Sequence, residues 1–465
     1  MVALTRLRET TRFLEPGSRS RALAAEAAQL LPDGITREGT RRQPYPPAMA
    51  SAHGSLLVDV DGDERADLLF NHATLIHGHG YPPVTGAVTT QLRQLEAVPF
   101  PHEHEVRLAR LLAGRVPVDE PLFRFTSSGS EAVLLALRLA AVATRRRKIV
   151  VFEHCYHGSF VPSSQVGAPS SDYLLCPFNS PALLRQVFDS TGPRIAAVLV
   201  DLCPVRGALS AATAAFAEEI RQGCARYGAL LIADEVVSSR AAPGGMAAAC
   251  GLTPDIVCLG TYIGGGLPIG AIALRRDLAG CFGPTHRPRL AHGGTFNGNP
   301  LSMTAGIAAL AGFGADRAAD LNAATAAVCA ELNSLFARRG AYWSVRRAGS
   351  LFCFWPHQTL PASPSQACHH MTRRTIADLS GFLLRHGVVI APSGFGCLAT
   401  ATEQADLDYL ITAVDAYLTR LTEYPAAVRR RIFLISAYPR GPARTPPDQP
   451  ISGIRARRAT RPGGR

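Results

Sequence analysis

Ile195-Ala-Ala-Val-Leu-Val200-Asp201, then Ala214 to Tyr227, then Leu230-Leu-Ile-Ala-Asp234-Glu235-Val236: these successive stretches decide the fold. The first and last are short apolar runs ending in an acid, as strands buried on both faces read. The middle one has helical spacing. Strand, helix, strand is a parallel crossover unit. Upstream, Lys148-Ile-Val-Val-Phe152 and Phe123 to Phe125 read as strands, and 105–112, 131–142 and 182–188 as helices. Downstream, Ile256-Val-Cys-Leu259 is a strand and 302–310 a helix. The pattern predicts an α/β domain on a mostly parallel sheet. Towards the N-terminus come a helix over 20–31, a Pro-, Gly- and Arg-rich stretch ending at Tyr45-Pro46-Pro47, and a strand–turn–strand over 55–63 turning at Asp61-Gly62. A long Ala-rich helix over 317–338 precedes 341–424, whose mixture of strands and helices reads as a smaller α+β domain.

The chain has 465 residues, 47% of them hydrophobic and 18% charged, which suits a large core and excludes a wholly disordered chain. No apolar run reaches the ~18–20 residues needed to span a bilayer. The first residues interleave Arg and Glu without an apolar signal segment, so a cytoplasmic protein is expected. Of 48 basic residues, Lys148 alone is lysine. The net charge is +12, and 429–465, with ten Arg and one Asp, contributes +9 of it. That tail reads as solvated and disordered, and with only Phe433 and Tyr438 as aromatics it makes a poor nucleic-acid binder. Eleven cysteines without a CxxC pair indicate reduced thiols. His77-Gly-His79 and His102-Glu-His104 lack companions at metal-site spacing, so no metal is expected.

Ligands of open α/β sheets gather where strands end. Four junctions there carry chemistry. Phe125-Thr-Ser-Ser128-Gly129-Ser130-Glu131 follows a strand and opens a helix, which suits an anion; it also suits an ordinary N-cap. Phe152-Glu-His-Cys-Tyr156-His157-Gly158 sets an aromatic ring past a strand end, where it can stack on a planar ligand or simply pack in a loop. Asp234 ends an apolar strand, where a carboxylate needs a cation such as a protonated heterocycle nitrogen, or serves as a cap. Gly293-Gly-Thr295-Phe-Asn-Gly-Asn-Pro300 is a second small-residue loop before a helix.

In this order, with Asp59-Val-Asp-Gly62 and Gly264-Gly-Gly-Leu-Pro268, these blocks resemble the class III, fold type I pyridoxal-phosphate aminotransferases, and among them glutamate-1-semialdehyde aminomutase. The resemblance spans roughly Leu31 to Leu421. It implies a large domain on a mixed, mostly parallel seven-stranded sheet with a smaller α+β domain. The expected limits are an N-terminal segment 1–60 joining the small domain, a cofactor domain 61–310, a small domain 311–424 and a basic disordered tail 425–465. It further implies that Ser128, Gly129 and Ser130 hold the cofactor phosphate, that Tyr156 stacks on the pyridine, that Asp234 keeps the ring nitrogen protonated, and that Val236 packs on the other face. Thr295 would reach the neighbouring subunit's phosphate in a homodimer with shared sites, and Arg41 is a candidate for a substrate carboxylate.

The family sets its Schiff-base lysine just before the glycine triplet. Here that position is Thr261, in Leu259-Gly-Thr-Tyr262-Ile-Gly-Gly-Gly266. A hydroxyl forms no imine and carries protons poorly at neutral pH. Lys148 stands eight residues before Tyr156, up to ~26 Å away along an extended chain. The wall after the 195–200 strand also departs: Asp201-Leu202 stands where relatives show Glu-Pro. The reading is an aminotransferase- or aminomutase-like enzyme without a covalent lysine link. It would hold pyridoxal or pyridoxamine phosphate and act on an amino or keto acid, in specialised biosynthesis. Thr261, Tyr262 and His157, with His292, are the candidates for catalytic work. The alternative is a non-catalytic or cofactor-free homologue serving as a binding or partner subunit.

Overall fold

Seven strands form the sheet that the apolar runs predict. The structure is a computed structural model describing Leu7, residues 9–161, and residues 171–423 other than 360, 362, 363, 368 and 369. The strands are β1 (Met49–His53), β2 (Leu56–Asp59), β3 (Glu64–Asp67), β4 (Leu122–Thr126), β5 (Lys148–Phe152), β6 (Tyr173–Cys176), β7 (Ile195–Val200), β8 (Leu230–Asp234), β9 (Ile256–Gly260), β10 (Gly270–Leu274), β11 (Ser344–Ala348), β12 (Leu351–Trp355), β13 (Val388–Val389) and β14 (Phe395–Cys397). The central sheet runs β4-β10-β9-β8-β7-β5-β6. Its neighbours are parallel except where β10 lies antiparallel between β4 and β9. β4 to β9 therefore all end at one edge.

Side-chain alternation covers both faces of this sheet. Val150, Phe152, Val198, Val200 and Leu231 pack on one side with Phe178 and Phe216. Ile149, Val151, Ala197, Leu199 and Ile232 pack on the other against Leu135 and Leu139 of the helix Gly129–Thr144. β7 is buried at every position, so no polar residue fits within it, and each of its Ile, Val and Leu side chains stabilises the fold by roughly 1.5–3 kcal/mol.

β6 and β10 were not evident in the sequence. β6 is a half-exposed edge strand paired with β5 alone. β10 is Gly-Ala-Ile-Ala-Leu, weak in strand propensity, and is fixed by its two partners. β3 pairs in parallel with β13, tying the N-terminal strands to a segment more than 300 residues later. Lys148 opens β5 beside Ile195 at the opposite edge from the strand ends, and its Nζ donates to the carbonyl of Ser171. No described helix is long and apolar enough to cross a membrane. The tail 425–465 lies outside the described residues, and the expectation of disorder lies there with it.

Candidate active site

At the common edge, the helix Gly129–Thr144 starts directly after β4. Ser128 caps it, its Oγ accepting from the Glu131 N–H at 3.2 Å, and the Glu131 carboxylate accepts from the Ser127 N–H at 2.8 Å. The first N–H groups of a helix have no partner within it and, with the helix dipole, favour an anion. Two glycines keep the approach narrow. A Cβ on Gly129 would stand 2.6 Å from Val236 Cγ1. A Cβ on Gly158, whose φ is +85°, would stand 2.6 Å from Ser130 Oγ. Ser130, Gly129, Val236 and Gly158 are thus in mutual reach, although they come from three separate loops.

Asp234 ends β8, and its Oδ2 lies 2.7 Å from His157 Nδ1, with both side chains buried. Its Oδ1 accepts from the Val236 N–H at 3.1 Å. Oxygens bonded in this way still have lone pairs for a further donor. His157 Nε2 is buried and has no hydrogen-bond partner among the described residues. Behind Asp234, the Glu235 carboxylate accepts from Ser238 Oγ at 2.8 Å and the Ala247 N–H at 2.6 Å. Burial pushes the Glu235 carboxyl up to about 7 against these bonds.

Thr261 follows β9. Its hydroxyl donates to the Val236 carbonyl at 2.6 Å, and its φ of +50° is a strained conformation for a β-branched residue. The hydroxyl serves as a tether between the ends of β8 and β9.

The structure brings Ser128, Gly129, Ser130, His157, Asp234, Val236 and Thr261 to this edge. Tyr156 lies here too, 45% exposed, with the Arg206 guanidinium 4.2 Å from its ring centre. Tyr262 is instead buried in the core with its ring against Phe313, and burial raises its phenol's pKa. His292 bonds Asn297 at 3.1 Å, and Asn297 in turn accepts from Ser127 Oγ at 3.2 Å. Burial lowers the pKa of His292. Thr295 is exposed on the same loop, beside Phe296, which is 64% exposed. Arg41 is paired with Glu38 at 2.8 Å and with Asp33. Its neighbour Glu38 is held below the usual carboxylate range, first by its bond to Arg41, with the charge of Arg206 adding to it.

Sequence reasoning missed Arg206 and gave Asp201 no chemical part. The signal for Asp201 was present: it ends an apolar strand as Asp234 does. The histidines at metal-like spacing are dispersed. His77 bonds Thr400 and the Ala309 carbonyl, His79 bonds Asp67, His102 bonds the Gly298 carbonyl, and His104 bonds Gln91. Among the described residues no three His, Cys, Asp or Glu gather as a metal site would need.

The aminotransferase class-III family signature matches residues 39–174 and 164–398. A beta-phenylalanine transaminase from Variovorax paradoxus is 34% identical over 414 residues, covering 88% of this chain and 94% of the relative. The solved omega-transaminase from Sphaerobacter thermophilus superposes with a TM-score of 0.83 at 34% identity, covering 88% of this chain and 98% of that one. A lysine-to-alanine variant of a glutamate-1-semialdehyde aminomutase from Pseudomonas aeruginosa, solved in complex with PMP, superposes with a TM-score of 0.80 at 25% identity, covering 88% and 96%. The chain belongs to the class-III aminotransferase family and has its fold type I architecture.

Proposed function

We propose that this enzyme holds pyridoxal or pyridoxamine phosphate without a covalent bond and acts on an amino or keto acid, in specialised biosynthesis rather than in a housekeeping step. One observation carries the reading. Thr261, at the position where the family sets its lysine, spends its hydroxyl on the Val236 carbonyl, while the groups around it that suit phosphate and ring nitrogen remain in mutual contact. The aminomutase variant that holds PMP after losing its lysine supports the same division of labour. Relatives named as transaminases and aminomutases favour this reading over a non-catalytic partner subunit.

The residues present fit the cofactor. The buried Asp234 carboxylate, anchored by His157, matches a protonated ring nitrogen, and Gly129, with no side chain, lets the helix N-terminus lie directly against Val236 beside it. When bound, the cofactor supplies a carbonyl or amine that condenses with the substrate, and an electron sink. The chain supplies the rest. Ser128, Gly129 and Ser130 hold the phosphate at the helix N-terminus. Tyr156 stacks on the ring. His157 orients Asp234, and Val236 packs beneath. Thr261 and Tyr262 act in structure, the first as a tether and the second as core. Arg41 is assigned to the mouth as a carboxylate contact. The exposed Thr295 and Phe296 are assigned to a homodimer interface in which Thr295 reaches the partner's cradle.

Purified protein mixed with pyridoxal phosphate, dialysed and treated with borohydride tests this. Retained cofactor absorbance without a mass increase on the chain is expected. A borohydride-stable adduct, or no retention of either cofactor form, overturns it.

A further inference from the structure

The wall after β7 departs from the family at Asp201-Leu202, and the same stretch goes on to carry an arginine, Arg206. Val205–Gly207 is one turn of 3-10 helix, and Ala208 and Leu209 follow it with φ of +53° and +55°. Two successive residues with Cβ atoms in the left-handed region are costly, and such strain persists only where the surroundings impose it. They do so here. Ser210 Oγ lies 2.7 Å from the Gly207 carbonyl and 2.9 Å from the Pro361 carbonyl, and accepts from Arg346 Nη1 at 2.9 Å. A Cβ on Gly207 would stand 2.9 Å from Pro364 Cγ. The turn is clamped between the end of β7 and the segment 346–364, and Arg206 is its exposed residue.

That clamp sets the Arg206 guanidinium 4.2 Å from the centre of the Tyr156 ring. Tyr156 follows β5, and its neighbour His157 bonds Asp234, so the stacked pair stands at the rim of the candidate site. A guanidinium stacked on an aromatic ring uses its face; its N–H donors lie in its plane and match the two oxygens of a carboxylate. The stack holds the long side chain in place beforehand, which lowers the cost of ordering it on binding. Arg41, assigned above to a substrate carboxylate, comes from a different segment. It is held by Glu38 and Asp33, and Glu38 is within electrostatic reach of Arg206 as well. Two guanidinium forks on separate segments suit a ligand with two carboxylates rather than one.

Resting on the function proposed above, we infer that Arg206 is a specificity-determining residue that selects a dicarboxylic amino or keto acid: Arg41 takes one carboxylate, and Arg206, stacked on Tyr156, takes the other. Selection of this kind is separate from holding the cofactor. Arg206 follows β7, whereas the phosphate cradle follows β4, at the far end of the sheet order from β5 and β6. Loss of Arg206 therefore acts on the choice between acids rather than on the cradle.

The test compares glutarate with pentanoate, which have the same carbon chain and differ by one carboxylate, as probes on the full chain loaded with pyridoxal or pyridoxamine 5′-phosphate. Titration calorimetry on the unaltered chain is expected to show glutarate binding about tenfold more tightly than pentanoate, as one charge-assisted pair of hydrogen bonds predicts. In R206Q the ratio should fall to within about twofold. In R206K, which keeps the charge and loses the planar fork, it should lie between the two. The exposed position lets both variants fold, which their melting temperatures check; should one fail, the other carries the test. Three results overturn the inference alone: an unaltered chain that takes up cofactor but does not prefer glutarate, a folded variant whose preference is undiminished, or a loss in R206Q that falls equally on both probes. Failure of the unaltered chain to take up either cofactor form overturns the parent reading, and this one with it.

Discussion

The ends of β8 and β9 lie side by side at one sheet edge, yet they are built differently. After β8, Asp234 is buried, bonded by His157 and the Val236 N–H, and backed by Glu235 with two donors of its own. After β9, the residue that would reach across the site is a threonine folded back on its neighbour's carbonyl. On the function proposed above, one side receives a heterocycle and the other carries a hydroxyl where a lysine would bond to it. Holding a cofactor and anchoring it covalently would then be separate properties of this fold, because they depend on different strand ends.

On that reading, a lysine set at position 261 is the largest change available. In T261K the backbone already has the left-handed φ of +50°, and the Thr261 hydroxyl bond to Val236 is the contact sacrificed. Pyridoxal phosphate that is removable by borohydride-free denaturation in the unaltered chain is expected to become stoichiometrically attached at position 261, read as a borohydride-fixed mass increase. If the variant folds and takes up the cofactor but yields no adduct, position 261 does not face the cofactor carbonyl, and the contrast between the two strand ends fails.

The β8 side can be stressed through pH. The Glu235 carboxyl, ordinarily near 4.5, is pushed up to about 7 by burial. Its proton is held more tightly in the folded chain than in the unfolded one. Stability is therefore fully supported below about pH 4.5, declines as the pH rises through about 7, and levels off above it. The decline attributable to this group is at most about 3 kcal/mol. E235Q keeps a group of the same shape with no proton to lose. Urea unfolding at pH 5, 6, 7 and 8 should show the variant gaining on the unaltered chain with each step. Parallel profiles would mean that the support behind Asp234 is not the buried acid described here.

Much of this was legible in the chain because burial on both faces forces apolar runs: β5, β7 and β8 appear as uninterrupted stretches, and the acid ending β8 marks the site. β10 was not legible, since Gly270-Ala-Ile-Ala-Leu274 has little strand propensity and takes its form from β4 and β9. The cradle was readable as small residues before a helix, but the contact of Gly158 with Ser130 was not, because it joins two loops that meet only after folding. Tyr262 misled for a related reason. Adjacent to Thr261 in sequence, it turns into the core against Phe313, and sequence adjacency at the end of a strand does not say which neighbour faces the ligand. Asp201 shows the converse. Its place beside Asp234 follows from the register that sets Val200 opposite Ala233, which needs the sheet to be known.

The smallest expected effect comes from the only lysine. Lys148 opens β5 and bonds the Ser171 carbonyl, whereas Asp234 and His157 stand where the strands end. An ammonium at the opposite edge of a closely packed sheet has no route to a ligand on this one, because the buried side chains of β5, from Ile149 to Phe152, lie between. Replacing a partly exposed side chain of this kind changes most proteins by no more than about 0.5 kcal/mol. K148M is thus expected to take up pyridoxal phosphate within about twofold of the unaltered chain, with the same absorbance after dialysis. A loss of bound cofactor in K148M, with the melting temperature unchanged, would mean that the lysine does reach the strand ends and that the separation of holding from anchoring is not a property of this chain.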